Sequence, residues 1–219
     1  MTYRHIVWDW NGTLLNDGDA SAQAVDSMLK RRNLGALALE DYREKITYPV
    51  IQLYYDTGFD FLSESYEDMC YEFISNYKAN RHMIALQEKV REVLSYFKNN
   101  GIRQHIVSAS EAGILVQQIE EYGLTEYFDS ISGQQDHRAD SKTHLAERLL
   151  KELGCDPREV LFIGDTIHDY EIAHGLGAGC CLVSNGHCST GRLDRTHAPV
   201  FSNLGALLNS FTIADKNNS

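Results

Sequence analysis

The sequence lacks any hydrophobic run long enough to cross a membrane. A membrane-spanning helix needs about 20 mainly apolar residues in succession, and polar or charged residues interrupt every apolar stretch well before that length. The N-terminus, MTYRHIVWDW, also lacks the apolar centre of a secretory signal. We therefore predict a cytoplasmic protein with no membrane partner.

Paired cysteines are missing as well. The five cysteines are odd in number, and none of them forms the Cys-x-x-Cys motif that many zinc and redox sites use. We expect reduced thiols. Cys180 and Cys181 stand in an apolar run, which is typical of small core residues.

Positive charge is scarce. Acidic residues outnumber lysine and arginine by 31 to 20, which gives a formal net charge of −11. A surface this negative repels a phosphate backbone, so the composition argues against nucleic acid as a partner. A phosphorylated substrate would need local positive charge, such as that of a bound metal ion.

Four short apolar runs predict buried parallel strands: HIVWD (5–9), QHIVS (104–108), VLFIG (160–164) and CCLVS (180–184). Between some of these runs, apolar residues recur at helical spacing in segments that end at Gly101, Gly123 and Gly154. Strands and helices that alternate in this way favour an α/β fold with right-handed crossovers. We predict a Rossmann-like, doubly wound parallel sheet.

The segment from 17 to 85 interrupts this alternation. It has helical patterns, for example at Val25, Met28 and Leu29, but no convincing strand. We interpret it as an all-α cap domain inserted into an α/β core domain formed by residues 1–16 and 86–219. Its tyrosines either pack in its interior or line a specificity pocket.

Polar residues stand where the predicted strands end. Asp9, Ser108 and Asp165 each follow or close a strand, and ligands in open parallel sheets bind beyond the carboxyl ends of the strands. Asp169 adds a third carboxylate, and carboxylates gathered without a cation would repel one another, so they favour Mg²⁺. Lys142 would add a donor for a phosphoryl group. Singly, each of these residues also has an ordinary role as a turn former, a helix cap or a surface charge.

With these motifs in this order, the sequence resembles the haloacid dehalogenase superfamily of aspartate-nucleophile hydrolases. DWNGTL (9–14) is similar to its first motif, DxDGTL, and GDTIHD (164–169) is similar to its fourth. Ser108 in HIVSAS and Lys142 in SKTHLAERLL resemble the second and third motifs. The helical insertion resembles the cap of the phosphoglycolate phosphatase-like branch, and Tyr48 falls where that branch places its substrate-facing loop.

The resemblance implies a Mg²⁺-dependent phosphohydrolase that acts on a small phosphorylated metabolite through an aspartyl-phosphate on Asp9. The metal ligands that it implies are Asp9, the backbone carbonyl of Asn11, Asp165 and Asp169. The catalytic positions that it implies are Asp9, Asn11, Ser108 and Lys142. The substrate and phosphate contacts that it implies are Gly12, Thr13, Ser108, Lys142 and Tyr48.

Asn11 departs from the superfamily pattern. Phosphatases of the superfamily have a second aspartate there, which protonates the leaving group and later deprotonates water. An amide cannot shuttle a proton, and general acid–base catalysis is worth about 10²–10⁴-fold. We therefore expect slow turnover of alkyl phosphates.

Four explanations of Asn11 are open. The substrate has a good leaving group, as an acyl phosphate or an anhydride does. Another residue replaces the acid, for which His5, Asp17, Asp19 and Tyr48 are candidates. The protein binds a phosphorylated ligand and has only vestigial activity. Finally, the asparagine is an introduced substitution.

Carbon–phosphorus hydrolysis is a further alternative, because phosphonate-cleaving members of the superfamily also lack the second aspartate. Those enzymes use a cap lysine, for which Lys30 and Lys45 are candidates. Dehalogenases need no Mg²⁺, so the pair of Asp165 and Asp169 argues against that chemistry. His187 lies in a predicted loop, where we expect a surface position.

Overall fold

The structure is a computed structural model that describes residues 3–138 and 141–217. Its strands are β1 (His5–Trp8), β2 (Leu15–Asn16), β3 (Ala85–Leu86), β4 (Arg103–Glu111), β5 (Ser130–Gln134), β6 (Val160–Gly164), β7 (Gly179–Val183) and β8 (Val200–Phe201). Its α-helices are α1 (Gly18–Arg31), α2 (Leu39–Lys45), α3 (Ile51–Asp56), α4 (Tyr66–Ala79), α5 (Val90–Asn99), α6 (Ala112–Glu121), α7 (Thr143–Leu153), α8 (Ile167–Gly175), α9 (Thr190–Leu193) and α10 (Leu204–Asn217).

The central sheet is parallel, with the strand order β5-β4-β1-β6-β7-β8. β1 lies between β4 and β6, so that Trp8 is paired with Ile106 on one side and Ile163 on the other. The predicted α/β class is therefore confirmed. The carboxyl ends of these three strands lie side by side, where an open parallel sheet binds its ligand.

The sequence analysis did not predict two strands of the sheet, β5 and β8. β5 reads SISGQ, in which Ile131 is the one large apolar residue, and β8 is only two residues long. Both lie at an edge of the sheet, where partial burial leaves no apolar run in the sequence. β4 also continues past its predicted end at Ser108, with an irregular register between Val107 and Glu111.

β1 is buried on both faces, which explains its unbroken apolar run. Ile6 and Trp8 pack into one apolar cluster together with Phe97 of α5. Val7 points to the opposite face and packs into a second cluster together with Leu149 of α7. This two-sided packing fixes the strand that carries Asp9 at its carboxyl end.

The segment between β2 and β3 is helical, as predicted. It contains α1 to α4, which surround an apolar cluster of their own that includes Met28 and Leu53. The chain leaves the core at β2 and returns at β3, and these strands pair antiparallel with Leu15 opposite Leu86. The pair lies where the sequence places the domain boundaries, which stay a prediction.

The helices of the described ranges do not include one with both the length and the apolar character that crossing a membrane requires. Cys181 and Cys188 are buried thiols.

Phe97 tests the packing around β1. Its side chain is 0% exposed and makes edge contacts with the rings of Trp8 and Phe211. Because truncation leaves a cavity, we expect Phe97→Ala to lower the free energy of unfolding in urea by about 3–5 kcal/mol. Asn99→Ala, at an exposed position of the same helix, should change it by less than about 0.5 kcal/mol. Equal effects of the two substitutions would contradict this packing.

Candidate functional site

Asp9 and Lys142 form the centre of the candidate site. Asp9 follows β1 directly, and its backbone N–H donates to the carbonyl of Ile163 at 2.9 Å, which continues the strand pairing. Lys142 immediately precedes α7, contacts the Asp9 carboxylate, and lies 2.7 Å from an oxygen of Asp169. Although burial opposes the charge, these two carboxylates raise the pKa of Lys142 above its ordinary value.

Asp165 follows β6 and is fixed through both of its oxygens. Oδ1 accepts a hydrogen bond from the Thr13 hydroxyl at 2.8 Å, and Oδ2 accepts from the backbone N–H of His187 at 2.6 Å. Gly12 and Gly186 allow this approach, because a Cβ at either position would lie 2.2 Å from Oδ2. Gly12 also has a φ of +77°, which other residues rarely adopt.

Asp169 lies in the first turn of α8. Its Oδ2 accepts hydrogen bonds from the backbone N–H of Thr166 at 3.0 Å and from the Thr166 hydroxyl at 2.7 Å. The backbone N–H of Asp169 in turn donates to the Thr166 hydroxyl at 3.4 Å, which completes a capping box. Its Oδ1 faces Lys142. The Asp169 carboxylate therefore fixes both the start of the helix and the position of the lysine.

The three carboxylates of Asp9, Asp165 and Asp169 have oxygen atoms that all lie within 4.8 Å of one another. Burial raises the pKa of Asp9 well above its usual range, and the two neighbouring carboxylates raise it further against the effect of Lys142. Burial also raises the pKa of Asp165. A cation would turn this repulsion into attraction, and Mg²⁺ prefers carboxylate oxygens. The donor set therefore fits Mg²⁺.

Ser108 and Tyr48 also come to this edge of the sheet. Ser108 is 1% exposed, and its hydroxyl accepts a hydrogen bond from the backbone N–H of Ser110 at 3.1 Å. Tyr48 belongs to the helical segment and stacks on His168, with 5.3 Å between the ring centroids. Burial raises the pKa of Tyr48, and the negative charge of Asp9 raises it further, since the two groups are close.

Asn11 lies beside this cluster with both ends of its amide bonded. Nδ2 donates to Oδ2 of Asp17 at 2.7 Å, and Oδ1 accepts from the Ser110 hydroxyl at 2.6 Å. An aspartate at position 11 would bring two carboxylates into contact. Asn11 and Asp17 are therefore a matched pair, which argues against an introduced substitution.

Asp17 joins the core to the helical segment. It is 1% exposed and accepts three further hydrogen bonds, from Gly12 N at 2.9 Å, His187 Nε2 at 3.1 Å and the Tyr77 hydroxyl at 2.8 Å. Nδ1 of His187 lies 3.0 Å from the hydroxyl of Tyr42. Three residues of the core and Tyr77 of the helical segment thus bond to one carboxylate.

Asp17 and His187 stabilise each other's charge. Burial opposes both charges, but the charge of His187 and its hydrogen bond lower the pKa of Asp17. In turn, against the same effect of burial, Asp17 raises the pKa of His187 to about 9. At neutral pH the pair is therefore a carboxylate and an imidazolium.

The sequence analysis missed this network. His187 is 4% exposed, so its predicted surface position is wrong. Its loop is buried because Asp165 binds the backbone N–H and Asp17 binds the ring. Ser110 has no recognisable sequence signal, since only the irregular end of β4 brings it to Asn11.

A cavity of about 480 Å³ separates the helical segment from the core and reaches the site at Asn11, Ser110 and His187. Its lining includes the aromatic residues Tyr42, Tyr48, Tyr54, Tyr66, Phe73, Tyr77 and Tyr122. Both uses predicted for the tyrosines of the segment are found, because Tyr42, Tyr54 and Tyr77 line this cavity and also pack in buried apolar clusters. Tyr55 and Tyr71 are instead exposed.

Several other candidates lie away from the site. His5 is at the opposite end of β1 from Asp9, and Asp19 is exposed on α1, so neither is placed to replace the acid. Lys30 is paired with Asp26 at 2.7 Å on the same helix. Lys30 and Lys45 are both exposed, and neither lines the cavity.

The comparison with protein families agrees with this geometry. The model of the haloacid dehalogenase-like hydrolases matches residues 6–183, and the chain belongs to that family. The resemblance predicted from the motifs is therefore confirmed. The predicted class of enzyme, a hydrolase of the phosphatase type, is confirmed with it.

Among curated proteins, the chain is 26% identical to the pyrophosphatase PpaX of Bacillus velezensis over 180 aligned residues. The alignment covers 80% of this chain and 79% of that protein. The chain is also 26% identical to phosphoglycolate phosphatase 1 of Pseudomonas aeruginosa over 215 aligned residues. This alignment covers 94% of this chain and 78% of that protein. Among solved structures, a predicted phosphatase from Clostridium acetobutylicum superposes with a TM-score of 0.78 at 17% identity, over 97% of this chain and 99% of that one. At that identity the superposition shows the shared fold.

His187 makes the stability of the protein depend on pH. Because folding raises its pKa from 6.5 to about 9, its contribution is fully present below about pH 6.5 and is lost as the pH rises through about 9. We expect the free energy of unfolding of the natural sequence to fall between these limits by up to about 3 kcal/mol more than that of His187→Gln. Urea denaturation at several pH values measures this difference. Parallel pH profiles for the two proteins would contradict the ion pair.

Asn11→Asp tests whether positions 11 and 17 are matched. The new carboxylate would contact Asp17, so the pair would have to share a proton, and one pKa would rise. The variant should therefore be closest to the natural sequence in stability at low pH and lose stability as the pH rises through that raised pKa, by about 1–3 kcal/mol at neutral pH. Asn11→Ala loses the same two hydrogen bonds without adding a charge, so its loss of stability in thermal unfolding should not show this dependence on pH. A fully stable Asn11→Asp variant at pH 8 would contradict the match.

Proposed function

We propose that the protein is a Mg²⁺-dependent phosphohydrolase in which Asp9 is the nucleophile. The observation that carries this proposal is the arrangement of Asp9 against Lys142, with Asp165 and Asp169 beside them at the carboxyl end of the sheet. The names of the two curated relatives, a pyrophosphatase and a phosphoglycolate phosphatase, support a phosphoryl substrate.

Asp9 attacks the phosphorus in line and forms an aspartyl-phosphate, which water then hydrolyses. Its position at the end of a strand that is buried on both faces holds the nucleophile still. Lys142 neutralises a phosphoryl oxygen, and the Ser108 hydroxyl donates to another. In phosphoryl transfer, positioning and charge neutralisation provide most of the rate.

Mg²⁺ would be held by the carboxylates of Asp9 and Asp165 and by the backbone carbonyl of Asn11, with Asp169 close by. When bound, the ion supplies positive charge to the phosphoryl oxygens. Thr13 orients Asp165 through its hydroxyl, and Asp169 orients Lys142. These two contacts keep Asp165 and Lys142 in place before the substrate binds.

The helical segment excludes water from the reaction and selects the substrate. Tyr48 is the contact nearest to the carboxylates, and Tyr42 and Tyr77 join the segment to the core through His187 and Asp17. The same bonds hold the segment against the core.

A second candidate function is the binding of a phosphorylated ligand with vestigial turnover. Asn11 favours it, because position 11 carries no group that can transfer a proton. This candidate differs from the first in one measurable way, since it gives saturable binding without release of phosphate.

We expect phosphate release from at least one compound in a panel of acyl phosphates and phosphate monoesters, in the presence of Mg²⁺ and not with a chelator. Asp9→Asn should abolish the release, because the nucleophile is gone, and Lys142→Met should lower kcat by about 10²–10³-fold, because one oxygen loses its cation. Circular dichroism of both variants checks that they fold. Release that persists in Asp9→Asn would contradict the proposed nucleophile, and tight binding without release would favour the second candidate.

A further inference from the structure

The amide of Asn11 is too weak an acid to transfer a proton to a leaving group, and hydrogen bonds within the protein hold it in place. Its Nδ2 and Oδ1 are bonded to Asp17 at 2.7 Å and to Ser110 at 2.6 Å. Both bonds are internal to the protein and fix the orientation of the amide. A water or a substrate oxygen at this edge therefore meets a group that cannot act as an acid.

Asp17 does not take over that role, because its oxygens are already occupied. Oδ1 accepts from Gly12 N at 2.9 Å and from His187 Nε2 at 3.1 Å. Oδ2 accepts from Asn11 Nδ2 at 2.7 Å and from the Tyr77 hydroxyl at 2.8 Å. A carboxylate with four donors around it has no position left for a transferable proton.

Without an acid at position 11 or 17, the acidity of the leaving group decides how fast the phosphorus–oxygen bond breaks. An aliphatic alkoxide is nearly as basic as hydroxide, whose parent water has a pKa of about 15.7. A phenol such as that of tyrosine has a pKa of about 10. A phenoxide can therefore leave unprotonated under conditions where an alkoxide cannot.

The cavity next to Asn11 suits an aromatic body. Its volume of about 480 Å³ falls within the range of about 300–1,000 Å³ that ligand pockets commonly have. A two-carbon acid such as glycolate would leave most of it unfilled. The walls of the cavity include the rings of Tyr42, Tyr48, Tyr77 and Tyr122, and aromatic rings prefer to stack on one another or to meet edge to face.

The charges around the cavity do not by themselves choose between a ring and a second anionic group. Arg81 is paired with Glu121 at 2.7 Å, while Lys78 and Arg138 share the lining with Glu111. The cations are therefore only partly balanced by acids on the same walls. A leaving group that itself carries a phosphate is the alternative that this lining allows, and pyrophosphate tests it below.

We propose, given the function proposed above, that the substrate is an aryl phosphate, a phosphate monoester of an acidic phenol whose ring occupies this cavity. An oxygen of Asp9 bonds to phosphorus while the bond from phosphorus to the aryl oxygen breaks. The bonding electron pair leaves on that oxygen, and the phenoxide takes a proton from water. A second water then bonds to phosphorus, Asp9 is released as a carboxylate, and the proton of that water goes to solvent.

The experiment is a comparison of kcat/KM for four kinds of compound, which separates the ring from the leaving group. Phenyl phosphate has both a ring and an acidic leaving oxygen, and ring-substituted phenyl phosphates vary the acidity. Benzyl phosphate has the ring on an alkyl oxygen. Acetyl phosphate and pyrophosphate have acidic leaving groups without a ring, and phosphoglycolate has neither feature.

We expect kcat/KM for phenyl phosphate to exceed that for benzyl phosphate by about 10²–10⁴-fold, which is the usual contribution of a general acid. Within the phenyl series it should rise steeply with the acidity of the phenol. KM for phenyl phosphate should be at least about tenfold below that for acetyl phosphate, because the ring is buried on binding. In Asn11→Asp, which places a carboxyl group at position 11 and leaves the pair of Asp17 and His187 in the chain, the gap between phenyl and benzyl phosphate should narrow.

Three results would overturn this inference. Equal kcat/KM for benzyl and phenyl phosphate would mean that an acid operates. A preference for acetyl phosphate or pyrophosphate with no gain in KM from the ring would mean that the cavity does not bind the aryl group. In either case metal-dependent release lost in Asp9→Asn would leave the proposed phosphohydrolase intact, whereas no release from any compound would overturn both.

Discussion

The close packing of three carboxylates around one buried lysine is the constraint on which the rest of this structure depends. Asp9, Asp165 and Asp169 come from β1 and from the end of β6 with the helix that follows it, and Lys142 contacts two of them. The parallel arrangement of neighbouring strands places Asp9 and Asp165 at one edge of the sheet. Burial and the repulsion among the carboxylates raise the pKa of Asp9, and a bound cation would relieve that repulsion.

A second buried ion pair connects this site to the helical segment. Asp17 accepts hydrogen bonds from His187 and Gly12 of the core and from Tyr77 of the helical segment. One carboxylate therefore joins the helical segment to the loop that follows β1. Such a pair is costly to break because each partner would be left as an uncompensated buried charge. The asparagine at position 11 belongs to this arrangement, since its amide donates to the same carboxylate. The amide at position 11 and the buried ion pair with His187 therefore depend on the same carboxylate, that of Asp17.

The sequence predicted the parts of the fold that have a strong local signal. The runs around Val7 and Phe162 predicted central strands because both faces of those strands are buried, while β5 gave no run because it lies at an edge. The positions of Asp9, Asp165 and Lys142 followed from strand ends and motif order. The partners of Asn11 did not, because Asp17 lies between β2 and α1 and Ser110 lies at an irregular strand end, and neither position has a periodic pattern in the sequence.

The central claim is that Asp9 becomes phosphorylated and that no residue at position 11 helps to remove the phosphoryl group. Mass spectrometry of the protein, quenched in acid during turnover of phenyl phosphate with Mg²⁺, tests this claim most directly. The account predicts one phosphoryl group on the peptide that contains Asp9, in a large fraction of the molecules, because hydrolysis of the intermediate lacks a general base. Steady release of phosphate with no phosphoryl group on that peptide, or with the group on another residue, would contradict it.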